Sequence, residues 1–221
     1  MTIPQARFQD GTRYDSPITK VVCVGRNYAE HAAELDNPVP TQPLVFIKPP
    51  SAVTELEAGV TLPEGEEPVH YETELALLIG QRLSHASEQA VSNAITGVGL
   101  ALDLTLRQTQ SRLKQEGHPW ELAKAFDGAC PLSAFIPGDQ LAATGRLRFS
   151  LSINGEPRQH GDTAAMLKPI PVLVSYMSKH FTLEPGDVVL TGTPAGVGPL
   201  EPGAALSLTL EDRLTLETTV A

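Results

Sequence analysis

The sequence predicts an α+β domain of short, mostly antiparallel strands joined by many turns. Eighteen glycines and nineteen prolines in 221 residues fall between short β-branched or leucine-rich runs, not in one block, so turn chemistry is dispersed along the chain. Leu147–Ile153, Leu206–Leu210 and Leu214–Thr218 alternate apolar and polar residues, the period of half-buried strands. Helix-forming stretches are short, the first being Ala29–Leu35. With 41% hydrophobic residues there is enough apolar material for a core, and residues 1–221 read as one catalytic domain.

Charge narrows the partners. Twenty-six acidic against sixteen basic residues give a net charge of -10, which offers nucleic acid or an anionic membrane no electrostatic basis. A small molecule or a metal fits better. Cys23 and Cys130 lie far apart in sequence without a CxxC pair, as reduced core thiols of a cytoplasmic protein do. No apolar run approaches the ~20 residues of a membrane span, and no secretory leader pattern opens the chain.

Residues 1–17 are a polar leading arm or edge strand ending at Ser16-Pro17. Ile18–Val24 is a β-branched strand, broken by Gly25–Tyr28 before the helix-forming Ala29–Leu35. There His31 and Glu34, three apart, are neighbours on one helix face. They are either surface decoration or an imidazole–carboxylate pair suited to proton transfer. Leu44–Ile47 is an apolar strand that delivers Lys48 into Pro49-Pro50-Ser51. Such a lysine is either aimed into a cleft or a snorkelling structural residue.

The stretch that organises the chain is His70–Gly80. As an extended strand it puts Glu72 and Glu74 on one face, ahead of a buried Leu75–Ile79. Two anions so close raise each other's pKa unless a cation lies between them. The bland alternative is a solvated strand edge. Helical signals then begin at Ser84, and Ile95–Leu102 is a second buried strand ending at Asp103. From Leu104 an amphipathic helix carries Leu106, Arg107, Gln110, Leu113 and Lys114. Asp103 is either its N-cap or a third carboxylate of an all-oxygen site of the kind Mg²⁺, Mn²⁺ or Ca²⁺ prefers. Further on, Asn154-Gly155 marks a type I′ hairpin, Pro171–His180 a helix with proline in its first turn, and Leu206–Leu210 with Leu214–Thr218 a strand pair that closes the sheet. His160 reads as structural.

Six blocks in order, Gly25-Arg26-Asn27-Tyr28-Ala29-Glu30-His31, Phe46-Ile47-Lys48-Pro49, Glu72-Thr73-Glu74-Leu75, Ala101–Gln110, Pro119–Asp127 and Leu190–Gly198, resemble the small members of the fumarylacetoacetate hydrolase family. The resemblance runs from about Ile18 to the C-terminus. It implies mixed, mostly antiparallel sheets rolled into a partly closed barrel with short flanking helices, a homodimer, and no N-terminal SH3-like domain such as the larger members carry. It further implies Mg²⁺ or Mn²⁺ on Glu72, Glu74 and Asp103, and a water-activating dyad of His31 and Glu34. Lys124 is implied to stabilise developing negative charge, with substrate contacts from Arg26, Lys48, Arg107, Gln110 and Thr193. Thr193 lies in a Gly-rich loop that is either a plain turn or a carboxylate cradle.

The activity expected on this basis is metal-dependent hydrolysis of 3-acylpyruvates to pyruvate and a carboxylic acid. Oxaloacetate tautomerisation or decarboxylation and hydroxymuconate-type isomerisation are the enzymatic alternatives. A metal-binding scaffold is the non-enzymatic one.

Overall fold

A computed structural model describes residues 3–65, 67–141, 143 and 145–221. In chain order the N-terminal arm is a hairpin of β1 (Gln5–Arg7) and β2 (Arg13–Pro17), followed by β3 (Val21–Gly25), α1 (Ala29–Glu34), β4 (Leu44–Lys48) and β5 (Val53–Glu55). Next come β6 (Val69–Tyr71), β7 (Thr73–Ile79), α2 (Glu88–Ala94), β8 (Ile95–Leu102), β9 (Thr105–Leu106), α3 (Arg107–Glu116) and α4 (Glu121–Lys124). The remainder holds β10 (Cys130–Leu132), β11 (Ile136–Pro137), β12 (Arg148–Ile153), β13 (Glu156–Asp162), α5 (Ile170–His180), β14 (Val188–Leu190), β15 (Gly198–Pro199), β16 (Ala205–Leu210) and β17 (Leu214–Thr219).

A large sheet runs in the order β4-β3-β14-β7-β8-β10-β5, with β11 on β8. A second sheet is β13-β12-β16-β17 and a small third one β15-β6-β9. Pairing is antiparallel within these sheets except at β14/β3 and β10/β5. The architecture is mixed α+β, a curled half-barrel with short helices, as expected. Strand β7 is buried on both faces. Leu75 and Leu77 join a core shared with Leu151, Leu208 and Leu173 of the second sheet and α5, while Ala76 and Leu78 face Val21, Cys23 and Leu190. This two-sided burial explains the unbroken apolar run. Among the described residues, no helix is long and apolar enough to cross a membrane.

Four expectations are revised. Ser87, not Ser84, begins α2, because its side chain accepts the Ala90 N–H at 3.3 Å and so caps the helix. Asp103 does not cap α3: Thr105 and Leu106 pair with β6 first, and Leu106 occupies the cap position without a side-chain bond. Glu72 stands just outside β7. The C-terminal strand pair closes a separate sheet with the Asn154-Gly155 hairpin, whose φ values of 54° and 79° fit the expected turn.

One feature of the topology builds the site. The antiparallel ladder β7/β8 continues as β6/β9 into the small sheet, and the break falls at Glu72 on one side and at Asp103-Leu104 on the other. The Asp103 N–H still donates to the Glu72 carbonyl at 2.8 Å, so the two breaks face each other across the ladder.

Candidate active site

At this joint Glu72, Glu74 and Asp103 are all buried, each offering a carboxylate oxygen within 4.8 Å of the others. Lys124, brought in by α4, donates to Glu72 Oε2 at 2.8 Å, Asp103 Oδ2 at 2.7 Å and Thr105 Oγ1 at 2.7 Å. Burial opposes its charge, but Asp103 and Glu72 outweigh this and hold the ammonium pKa above the ordinary lysine range. Glu72 also accepts from the Arg107 guanidinium. Burial alone would neutralise Glu72; Lys124 and Arg107 keep it ionised, well below the usual carboxylate range.

Glu74 is different. Its Oε2 accepts the Gly192 N–H at 2.6 Å, and among the described residues it has no ion pair. Burial first, then the Asp103 and Glu72 charges, push its pKa well above the usual range. A buried carboxyl held against ionisation by two neighbours is a place where a divalent cation is favourable. The all-oxygen donor set fits a hard ion such as Mg²⁺ or Mn²⁺.

A cavity of about 30 Å³ opens onto this cluster, walled by His31, Glu72, Arg107, Lys124 and Thr193, with Phe46 and Trp120 as its apolar side. His31 is buried, and its Nδ1 lies 3.3 Å from Glu34 Oε2. A carboxylate only accepts, so Nδ1 carries the proton and Nε2 is left as an acceptor. Burial lowers the imidazole pKa against the opposing pull of Glu72 and Glu34, which keeps the ring neutral and basic near pH 7. Glu34 accepts the Gly196 N–H at 3.0 Å through its other oxygen, fastening α1 to the Gly-rich loop.

The expected substrate contacts divide. Arg26, Arg107, Gln110 and Thr193 line the cavity, and Arg107 donates to Gln110 Oε1 at 2.8 Å. The Thr193 hydroxyl is already committed, donating to the Thr73 carbonyl at 2.9 Å and accepting from Gln159 at 2.8 Å. Lys48 is not at the cavity wall. With no exposed surface, its Nζ is used behind the site on Asp103 Oδ1 at 2.8 Å, the Ala129 carbonyl at 3.0 Å and the Lys124 carbonyl. Lys48, the one fully buried residue of the half-buried edge strand β4, supports the carboxylates instead of meeting solvent.

Two supporting residues escaped the sequence reading. Gln159, fully buried, accepts the Thr73 N–H at 2.9 Å and donates to Thr193 and to the Pro194 carbonyl at 2.9 Å. Its signal was an amide on the inward face of the hairpin's return strand, opposite Leu151. Asn27 joins the β3–α1 turn to the Gly-rich loop through the Thr191 carbonyl at 2.9 Å. Gly192 there has φ +96°, and a Cβ on it would lie 2.8 Å from the Asn27 Cβ, so a side chain would force this contact apart.

Comparison with known proteins shows what the chain is similar to. Oxaloacetate tautomerase YcgM of Escherichia coli K12 is 52% identical over 202 residues, covering 91% of this chain and 92% of its own. The crystal structure of a fumarylacetoacetate hydrolase family protein from Yersinia pestis superimposes with a TM-score of 0.95 at 49% identity, over 98% of this chain and 100% of the other. That of fumarylpyruvate hydrolase from Pseudomonas aeruginosa, in complex with Mn²⁺ and pyruvate, does so with a TM-score of 0.91 at 33% identity, over 100% and 97%. The model of the fumarylacetoacetate hydrolase C-terminal domain matches residues 20–221, a range that includes the carboxylate cluster, α1 and the Gly-rich loop. The chain belongs to the fumarylacetoacetate hydrolase family.

Proposed function

We propose that this protein is a divalent-metal-dependent oxaloacetate tautomerase, interconverting the enol and keto forms of a four-carbon oxo diacid. The observation that carries the reading is the 52% identity to a protein of that activity across nearly the whole chain, joined to a cavity in which a neutral, buried histidine faces a carboxylate cluster. Bound at Glu72, Glu74 and Asp103, Mg²⁺ or Mn²⁺ supplies Lewis-acid stabilisation of negative charge on the substrate's oxygens.

The chain's own residues do the rest. His31, with Nδ1–H held by Glu34, accepts the enol hydroxyl proton at Nε2 and returns a proton to C3. The O–H bond breaks, a C–H bond forms, the C2–C3 double bond becomes single and the C2 carbonyl appears. No water is consumed and no carbon bond breaks. Lys124 offsets the charge that develops on oxygen during the transfer. Arg107 and Gln110 orient the oxo-acid end, and Phe46 and Trp120 exclude water.

Hydrolysis of acylpyruvates is the second reading. It is favoured by the His31–Glu34 pair, which could as well activate water, and by the 33% identical fumarylpyruvate hydrolase. The test follows the ultraviolet absorbance of freshly dissolved enol-oxaloacetate with Mn²⁺ and with EDTA. A metal-dependent acceleration of ketonisation supports the proposal, and decay at the uncatalysed rate overturns it.

A further inference from the structure

We propose that Lys114, assisted by Arg26, receives the second carboxylate of the substrate and sets a preference for diacids over oxo acids with an uncharged tail. The proposal rests on the reading of the cavity as an oxo-acid site and adds to it the determinant of substrate class.

Both side chains line the cavity that Glu72, Arg107 and Lys124 share. Those deeper cations are already paired: Lys124 with Glu72 and Asp103, and Arg107 with Glu72. Among the described residues, Lys114 and Arg26 have no carboxylate partner; Arg26 reaches only the Pro38 carbonyl, at 3.5 Å. In a chain of net charge -10, two cations that line one small cavity and have no carboxylate partner among the described residues make a setting that favours an anion.

Their placement is built. Arg107, Gln110 and Lys114 share one face of α3 by their i, i+3, i+7 spacing, and Lys114 lies one helical turn, about 5.4 Å, beyond Gln110. That step is on the scale of the distance between the two ends of a four-carbon diacid. The Lys114 ammonium lies 5.8 Å from the Trp120 ring centroid, a cation–π contact that holds it at the wall. Arg26 has φ 60°, a left-handed conformation seldom adopted outside glycine, of the strained kind found at ligand clamps. Burial, followed by the Arg26 and Arg107 charges, lowers the Lys114 pKa, as expected where positive charge is in excess and an arriving anion is favoured.

The test is calorimetric titration of the Mn²⁺-loaded protein with malate and with lactate, which share a 2-hydroxy-acid head and differ in the distal carboxylate. Wild type should bind malate more tightly than lactate. Lys114→Met should weaken malate roughly 10- to 100-fold, the range for one charge-assisted hydrogen bond, and leave lactate within about twofold. Lys114→Arg should keep the discrimination. Equal weakening of both ligands in Lys114→Met, or no preference for malate in wild type, overturns the proposal. Wild type that prefers malate yet leaves enol-oxaloacetate untouched would sink the tautomerase reading alone; rapid ketonisation without a malate preference would sink only this one.

Discussion

Lys48 and Lys124 grip Asp103 from opposite sides, Lys48 Nζ 2.8 Å from Oδ1 and Lys124 Nζ 2.7 Å from Oδ2. Lys48 also donates to the Lys124 carbonyl, so the lysine behind the site fixes the backbone of the lysine within it. The two should therefore fail differently when removed.

Lys48→Met leaves Asp103 and two carbonyls short of a buried partner. Breaking a buried pair costs about 3–5 kcal/mol, and urea unfolding should register a loss of that order. An unchanged midpoint and slope would show that Lys48 does not support Asp103.

Lys124→Met should lower kcat by roughly 10²-fold or more, the range for losing one preorganised charge donor. It should also destabilise the metal-free protein, since Glu72 and Asp103 lose their shared cation, and added Mn²⁺ should recover part of the loss by taking its place. Thermal unfolding with and without Mn²⁺ checks this. A melting temperature indifferent to Mn²⁺ in wild type and variant alike would show that the carboxylate cluster does not bind the ion.

The Glu74 carboxyl gives a pH signature. Burial, followed by the Asp103 and Glu72 charges, raises its pKa in the folded metal-free protein well above the usual carboxylate range, so the folded chain keeps a proton that the unfolded chain releases. Its contribution is fully present below the unfolded pKa and is lost as pH rises through the folded one. Relative to Glu74→Gln, metal-free wild type should therefore lose stability as pH rises above the ordinary carboxylate range. Stabilisation by Mn²⁺ should grow over the same range, because the ion binds the carboxylate. A difference between the proteins that is flat with pH would contradict the assignment.

What the sequence made legible follows from periodicity and punctuation. Strands β3, β4, β7, β8, β16 and β17 stand within a few residues of their apolar runs, and the Asn154-Gly155 hairpin within one. The carboxylates were legible because glutamates two apart ahead of an apolar strand are costly without a purpose. Lys48 stayed open between a cleft-directed and a structural lysine, and the substrate contact implied by the resemblance is not what it makes, because chain order shows a lysine leaving a strand but not that the strand end lies beneath Asp103. Asp103 as a cap failed for a similar reason: local sequence offers a helix start, and the ladder to β6 takes the next two residues first. Gln159 was invisible since its partners, Thr73, Thr193 and Pro194, are joined to it only by tertiary structure.

That joint makes Gln159 a sensitive position. Gln159→Leu keeps much of the volume but leaves the Thr73 N–H and the Pro194 carbonyl without their buried partner, at about 1–3 kcal/mol for each group left unsatisfied. The Gly-rich loop should loosen, and kcat/KM should fall more than the loss of folded protein accounts for. Full activity at wild-type stability would show that the loop is held by other contacts.

Proton transfer without consumption of water separates a tautomerase site from a hydrolase site. The two are distinguished by giving the Mn²⁺-loaded protein enol-oxaloacetate and, separately, acetylpyruvate in ¹⁸O-labelled water. The expected result is fast ketonisation with oxaloacetate conserved as the keto acid, loss of that rate in His31→Ala, and no ¹⁸O-labelled acetate above background. Rapid release of labelled acetate, with enol-oxaloacetate decaying no faster than in buffer, would contradict it and make the protein an acylpyruvate hydrolase.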